Sequence, residues 1–238
     1  MRTKYLGCFW VTLLGLCLGC APLHAQTTPL RVLFVGNSYT YYHQMPQLVA
    51  VLAQASGMAR PLEVHQETIP GTPLPRVLGT RGVRQAVLDN PWDVVVFQIM
   101  PYPWLDRPAD VVATLKEVVP GVRAKGGKPV YYLTWSGDAR PDPLVLEPKV
   151  YSELAQETGA VLAPAGKAWV LAKAAQPSLK LVDNDGHHPS PLGSLLAACV
   201  VYRTLFPEAG PCKPPEGTTT SPEQMAVLDA AAARAAAQ

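Results

Sequence analysis

The stretch DVVVFQ, residues 93–98, is an almost unbroken run of β-branched and aromatic residues closed by an amide. An alternating strand leaves one face to water. A run like this one needs cover on both faces, as the parallel strands of α/β proteins have. Working outward from it, four further runs of the same kind stand at regular intervals, Arg31–Val35, Pro61–Gln66, Pro129–Thr134 and a weaker Ala160–Ala163. Between them the hydrophobic period becomes helical, over Met45–Ala55, Val77–Leu88, Pro108–Ala124, Leu146–Thr158, Gly166–Ala174 and Pro191–Leu205. Alternation at this spacing predicts an α/β fold of three layers around a mostly parallel, five-stranded sheet. Ser190-Pro191 and Ser221-Pro222 each place a capping hydroxyl before a proline suited to the first helical position. The second opens the alanine-rich MAVLDAAAARAAAQ, which is either a docked terminal helix or a frayed tail. The Pro-rich stretch Pro207–Pro215 ahead of it reads as a connector.

A chain of 238 residues suits one domain with a sizeable core. Residues 1–25 read as an export leader: Arg2 and Lys4 precede the short apolar stretch VTLLGLCLG, and small residues follow in CAPLHAQ. Cleavage after Ala25 would release the protein. Lipidation of Cys20, after Leu18-Gly19, would anchor it. Either route predicts an exported protein, periplasmic, secreted or lipid-anchored, with no other membrane contact. The expected organisation is therefore a leader (1–25), a main domain (26–206) and a connector with a terminal helix (207–238). Of the 20 basic residues two lie in the leader, leaving 18 against 18 acidic ones. No basic footprint for nucleic acid remains. Cys8, Cys17 and Cys20 also fall in the leader, which leaves Cys199 and Cys212 in an oxidising compartment. A disulfide, or a buried thiol at Cys199 with an incidental one at Cys212, both fit.

Open α/β sheets bind ligands beyond the carboxyl ends of their strands. Five segments fall at that edge: GNSYTYY after the first strand, TIPG after the second, Gln98 ending the third, WSG after the fourth, and DNDGHHPS before the last main helix. The first places Ser38 two residues past an apolar strand, where Gly36 permits a sharp turn. A serine hydroxyl is a weak nucleophile until a base takes its proton, and a histidine oriented by a carboxylate is the usual base. DGHHPS supplies both, with Asp185 three residues before His188.

FVGNSYTYY resembles the first signature block of the SGNH/GDSL hydrolases, with Asn37 in place of the aspartate of the GDS form, and DGHHPSPLG resembles their last block. The likeness runs from about Leu30 to Phe206 and is nearest to the GNS-type branch of exported bacterial members. The resemblance implies a flavodoxin-like sheet and a Ser38–His188–Asp185 triad. It also implies an oxyanion hole from the Ser38 N–H, the Gly71 N–H and an amide at the end of the third strand. Many members have Gly-x-Asn there. This chain has VVVFQIM, so the resemblance assigns Gln98 to that role. The implied activity is hydrolysis of a small-molecule or carbohydrate ester, without metal or organic cofactor. A non-catalytic glycan- or ligand-binding protein on the same fold is the alternative.

Bland readings compete at several positions. Gly-Asn-Ser alone is ordinary turn chemistry, and the pairing with DGHHPS is what favours catalysis. Asp183, Asp185, His187 and His188 could instead bind a metal, but they lack helical His spacing. His187 is expected on the rim, since the Asp-x-x-His register favours His188. Glu63, His65 and Glu67 share one face of the second strand and read as a polar edge, while Arg76, Arg81 and Arg84 read as solvated surface. The aromatics Tyr39, Tyr41, Tyr42, Tyr102, Trp104 and Trp135 gather at the site's edge. Asn37, Tyr39 and Trp135 are the substrate-pocket candidates.

Overall fold

The computed structural model describes residues 28–100, 106–135, 149–214 and 217–237. The expected leader, Tyr102, Trp104 and the start of the Leu146–Thr158 helix lie outside the described residues. Five strands, β1 (Leu30–Gly36), β2 (Leu62–Thr68), β3 (Val94–Ile99), β4 (Lys128–Leu133) and β5 (Val161–Pro164), form one sheet in the order β2-β1-β3-β4-β5. All four pairings are parallel. This is the flavodoxin-like order, whose chain reversal beside β1 opens a crevice at the carboxyl ends of β1 and β3.

The apolar run that fixes the sheet is β3, and all six of its residues are buried. Its period of two divides the side chains between two cores. Val94 and Val96, with Val32, Phe34, Val130 and Tyr132, face α2 (Met45–Ala55), α7 (Ala165–Ala175), α8 (Pro191–Leu205) and α9 (Pro222–Ala236). Val95 and Phe97, with Leu33, Val35, Tyr131 and Leu133, face α3 (Leu74–Gly79), α4 (Arg81–Asp89), α5 (Pro108–Ala124) and α6 (Lys149–Thr158). Each fully buried Val, Leu or Phe contributes about 1.5–3 kcal/mol of transfer free energy, so the two layers hold the sheet from both sides.

Three helices, α2, α5 and α8, have the bounds expected from periodicity. The expected Val77–Leu88 helix is two helices instead, α3 and α4, broken at Thr80, whose backbone is extended (φ −71°, ψ 123°). Gly79 and Gly82 flank that break, and glycine weakens a helix interior. The break lets Leu74, Val77 and Leu78 bury together while Val83 and Val87 bury on a new axis. The alanine-rich end is a docked helix: Met225, Leu228, Ala231, Ala232 and Ala235 of α9 are buried, and Ser221 and Gln224 form a reciprocal capping box. Cys199 of α8 is bonded to Cys212 of the connector, with Cα atoms 5.8 Å apart.

Two contacts carry the fold toward the site. A Cβ on Gly193 would lie 2.0 Å from the Leu181 carbonyl oxygen and 2.8 Å from the Trp169 ring, so α8 starts directly against that chain. Ser190 caps α8 by accepting from the Gly193 N–H (3.1 Å) and donates to the Lys180 carbonyl (2.6 Å). Beside it a single antiparallel bridge, Val182 to Pro189, closes the loop 183–188.

Candidate active site

The first turn after β1 positions the serine. Asn37 is the N-cap of a short helix, α1 (Ser38–Tyr41), and its Oδ1 accepts the Tyr39 N–H at 3.1 Å. Ser38 is then the first helical residue, where a backbone N–H has no acceptor within the helix. From the other side, Asp183 donates its N–H to the His188 carbonyl (2.8 Å) and Gly186 turns through a positive φ of 81°. That geometry folds the 183–188 loop back on itself.

The loop brings His188 Nε2 to 2.8 Å from Ser38 Oγ and His188 Nδ1 to 2.6 Å from Asp185 Oδ2. A carboxylate facing Nδ1 holds the proton there and leaves the Nε2 lone pair for the serine hydroxyl. Asp185 is itself held by its other oxygen, which accepts the N–H groups of His187 (3.0 Å) and His188 (2.9 Å). Desolvation works against its ionised form, but these two N–H groups, the His188 ring and the His187 charge outweigh it. The Asp185 carboxyl is thereby held well below the usual carboxylate range. Tyr42 stacks face to face on the His188 ring, with centroids 4.1 Å apart and planes 6° from parallel. Ser38, His188 and Asp185 therefore form one continuous hydrogen-bonded chain at the carboxyl edge of the sheet.

A cleft of about 430 Å³ opens over this chain. Asn37, Ser38, Tyr39, Tyr41, Tyr42, Pro70, Gly71, Met100, His187 and His188 line it. Gly71 has a positive φ of 58°, which aims the turn after β2 in a way an L side chain resists. A larger hollow of about 740 Å³, between His43, Lys180 and residues 217–220, touches none of the three triad positions.

The expected substrate-pocket residues separate. Asn37 and Tyr39 line the cleft. Trp135 does not: it is 1 % exposed, stacks on Trp169 at 3.8 Å and donates its Nε1–H to the His187 carbonyl at 2.9 Å. It supports the 183–188 loop from beneath. Tyr39 bonds to His187 Nδ1 through its hydroxyl at 3.2 Å, and burial, together with the Asp185 charge, pushes that hydroxyl's pKa up. His187 stands on the rim, half-buried, as expected.

Gln98 requires a correction. It is 1 % exposed and does not line the cleft. Its Oε1 accepts the Asn37 N–H at 2.8 Å and the Thr40 hydroxyl at 3.3 Å, and its Nε2 is buried with no hydrogen-bond partner. The side chain lies at the end of β3 beneath the turn, with its oxygen turned to the Asn37 backbone. Gly36 makes room for it, because a Cβ there would lie 2.5 Å from Gln98 Oε1. Gln98 thus holds the backbone that presents Ser38.

Sequence reasoning missed Asp106. Fully buried, it accepts the Leu74 N–H with Oδ1 and the Met100 N–H with Oδ2, both at 2.7 Å. It ties the chain after Gly71 to the end of β3, so the segments that carry Gly71 and Met100 hang from one carboxylate. Burial pushes its pKa up to about 6, and the two N–H groups hold it from rising further. The only sequence sign was Asp106-Arg107-Pro108 before a helix, which reads as ordinary capping.

Among the described residues, Asp185, His187 and His188 are the one group with metal-ligand chemistry, their ligand atoms lying within 4.8 Å of one another. Asp183 is not part of it. Two of the three are already bonded to each other through Asp185 Oδ2 and His188 Nδ1. On the edge strand β2 Glu63 and His65 pair at 2.6 Å, and neither lines the cleft.

No family model matches the sequence, and no curated protein is significantly similar to it. Solved structures are similar. A candidate SGNH hydrolase from Slackia heliotrinireducens shares 28% identity at a TM-score of 0.61, covering 75% of this chain and 100% of its own. A DUF4886 family protein from Bacteroides uniformis shares 20% identity at a TM-score of 0.63, covering 87% and 94%. A mutant of an acetyl-xylooligosaccharide esterase from Geobacillus Stearmophilus shares 17% identity at a TM-score of 0.59, covering 78% and 96%. Sheet order and the likeness to the Slackia protein support a hydrolase of α/β architecture, with Ser38 on the turn after β1. The fold is the one that the candidate SGNH hydrolase from Slackia heliotrinireducens also has.

Proposed function

We propose that the protein is an exported serine esterase that cleaves carboxylic esters through an acyl-enzyme on Ser38. The observation that carries this reading is the unbroken chain Ser38 Oγ, His188 Nε2, His188 Nδ1 and Asp185 Oδ2, with links of 2.8 and 2.6 Å. His188 takes the Ser38 proton as Oγ bonds to the acyl carbon, and the carbonyl π pair moves onto oxygen. In this reading the N–H groups of Ser38 and Gly71 hold that oxygen. Collapse restores the carbonyl and expels the alcohol, which receives the proton from His188. Water then repeats both steps on the acyl-enzyme. Asp185 orients the imidazole and stabilises its charged form, and no step calls for a metal or organic cofactor.

The substrate we propose is a short acyl group on a carbohydrate. A cleft of about 430 Å³ suits a small acyl group, and the rings of Tyr41 and Tyr42 at its wall suit a sugar face. A structural neighbour being an acetyl-xylooligosaccharide esterase agrees with that choice. Export rests on the character of residues 1–25. One observation favours the alternative of a ligand-binding protein: Gln98 does not occupy the expected donor position.

The test is turnover of p-nitrophenyl acetate and labelling by a fluorophosphonate probe, compared with Ser38→Ala and His188→Ala. The reading expects wild-type turnover, label on Ser38, and a loss of about 10³-fold or more in both variants. A wild type that neither turns over nor labels supports the binding protein instead. A panel of acetylated sugars against longer acyl chains addresses substrate. Intact mass of the protein recovered from the producing cells addresses leader cleavage or lipidation at Cys20.

A further inference from the structure

With Gln98 Oε1 turned to the Asn37 N–H, the oxyanion hole proposed above has backbone donors at Ser38 and Gly71 and no side-chain amide assigned to it. We infer that the Asn37 carboxamide is that third donor, so that two adjacent residues, Asn37 and Ser38, supply both the nucleophile and part of the charge stabilisation. The inference rests on the esterase reading above.

Three observations lead to it. Asn37 is the one amide side chain among the described residues that line the cleft. Its orientation is fixed, because Oδ1 accepts the Tyr39 N–H at 3.1 Å, and a backbone N–H can only donate. The two hydrogens of Nδ2 are therefore assigned. One goes to the Thr72 carbonyl at 3.1 Å, in the residue that follows Gly71, and so links the amide to the loop carrying the second backbone donor. The other faces only Met100 Sδ at 3.5 Å.

That second contact is the informative one. A thioether is a weak acceptor on a flexible side chain, and Met100 itself lines the cleft. An acyl oxygen gaining negative charge is a far stronger acceptor and displaces the sulfur from the hydrogen. Asn37 is 2 % exposed, so water does not compete for the amide and the bond forms in a low-dielectric setting. Nor does orientation have to be found during the reaction, since Tyr39 and Thr72 hold the amide beforehand. The resemblance that placed the donor on the third strand is thereby revised. In this chain the donor has moved to the position where GDS-type sequences carry aspartate.

The experiment uses Asn37→Asp and Asn37→Ser, both of which keep a side-chain oxygen to cap the Tyr39 N–H and lose the amide donor. On p-nitrophenyl acetate we expect kcat to fall about 10²–10³-fold while KM changes less than about threefold. A boronic acid that forms a tetrahedral adduct on Ser38 should lose affinity by a similar factor, because it presents the same anionic oxygen. In the unaltered protein, one Asn37 side-chain amide proton should move downfield in the NMR spectrum when that boronic acid binds. An amide proton that does not move overturns the inference whatever the variants do. So do variants whose kcat stays within about threefold of wild type, or whose boronate affinity is unchanged while kcat falls, since Asn37 would then be a prop for the turn. If the wild type neither hydrolyses the ester nor reacts with fluorophosphonate, the esterase reading itself fails and takes this inference with it.

Discussion

Replacing Asp185 by asparagine separates geometry from proton placement at this site. The carboxylate receives three hydrogen bonds: two backbone N–H groups on Oδ1 at 2.9 and 3.0 Å, and the His188 ring on Oδ2 at 2.6 Å. Asparagine keeps an oxygen for both backbone groups, so the 183–188 loop retains its shape. Its NH₂, however, now faces His188 Nδ1 and can only donate. The ring must accept there and carry its proton on Nε2, which points an N–H at Ser38 Oγ instead of a lone pair. The serine loses its base with no atom displaced. In comparable triads the wrong tautomer costs about 10⁴ in kcat, equivalent to about 5 kcal/mol of barrier. The expected result for Asp185→Asn is that loss in steady-state hydrolysis of p-nitrophenyl acetate at neutral pH, with the thermal midpoint shifted by no more than about 3 °C. Activity should recover partly at high pH, where hydroxide replaces the missing base. An Asp185→Asn protein within about tenfold of wild-type kcat would refute the role assigned to Asp185.

Other perturbations test the scaffold. Gly193→Ala places a methyl 2.0 Å from the Leu181 carbonyl oxygen, so α8 must retreat. Thermal melting should show a loss of at least about 1–3 kcal/mol, together with falling activity as His188 shifts, and a variant normal in both would disprove the contact. Asp106 has a folded pKa of about 6, above its unfolded value of 3.8. Protonation therefore favours the native state, a contribution fully present below about pH 4 and lost as pH rises through about 6. Relative to Asp106→Asn, the wild type should gain up to about 3 kcal/mol on going from pH 7 to pH 4, and parallel melting profiles for the two would contradict this. Removing the Cys199–Cys212 bridge, which spans 13 residues, by a double alanine variant should cost about 2–4 kcal/mol in denaturant unfolding, and an unchanged midpoint would show that α9 alone holds the connector.

The sheet was legible because β3 is apolar on both faces, and that pattern has few solutions other than a covered parallel strand. The Ser38–His188–Asp185 constellation was legible because both of its halves flank recognisable elements, a strand end and the cap of α8. What escaped lies in depth and direction, which sequence does not encode locally. Gln98 and Met100 are two residues apart at the end of β3, yet one sits under the Ser38 turn and the other faces the cleft. Trp135 resembled a pocket aromatic until its ring proved to be stacked beneath the loop on Trp169. Asp106 had no visible signal because its partners are backbone N–H groups at Leu74 and Met100, and any residue type supplies those. Thr80 divides what periodicity reads as one helix, since a break costs little where glycines already weaken the segment.

The hydrogen bond between Ser38 and His188 joins residues 150 positions apart in the chain. During synthesis, at about 5–20 residues per second, Ser38 therefore leaves the ribosome roughly 8–30 s before His188. The α8 and α9 helices that seat the base arrive later still. For that interval β1 and its turn can form, yet the hydroxyl they display has nothing to accept its proton. A nascent chain therefore displays Ser38 before His188 exists to meet it, and the two residues are brought to hydrogen-bond distance only once the 183–188 loop has folded back.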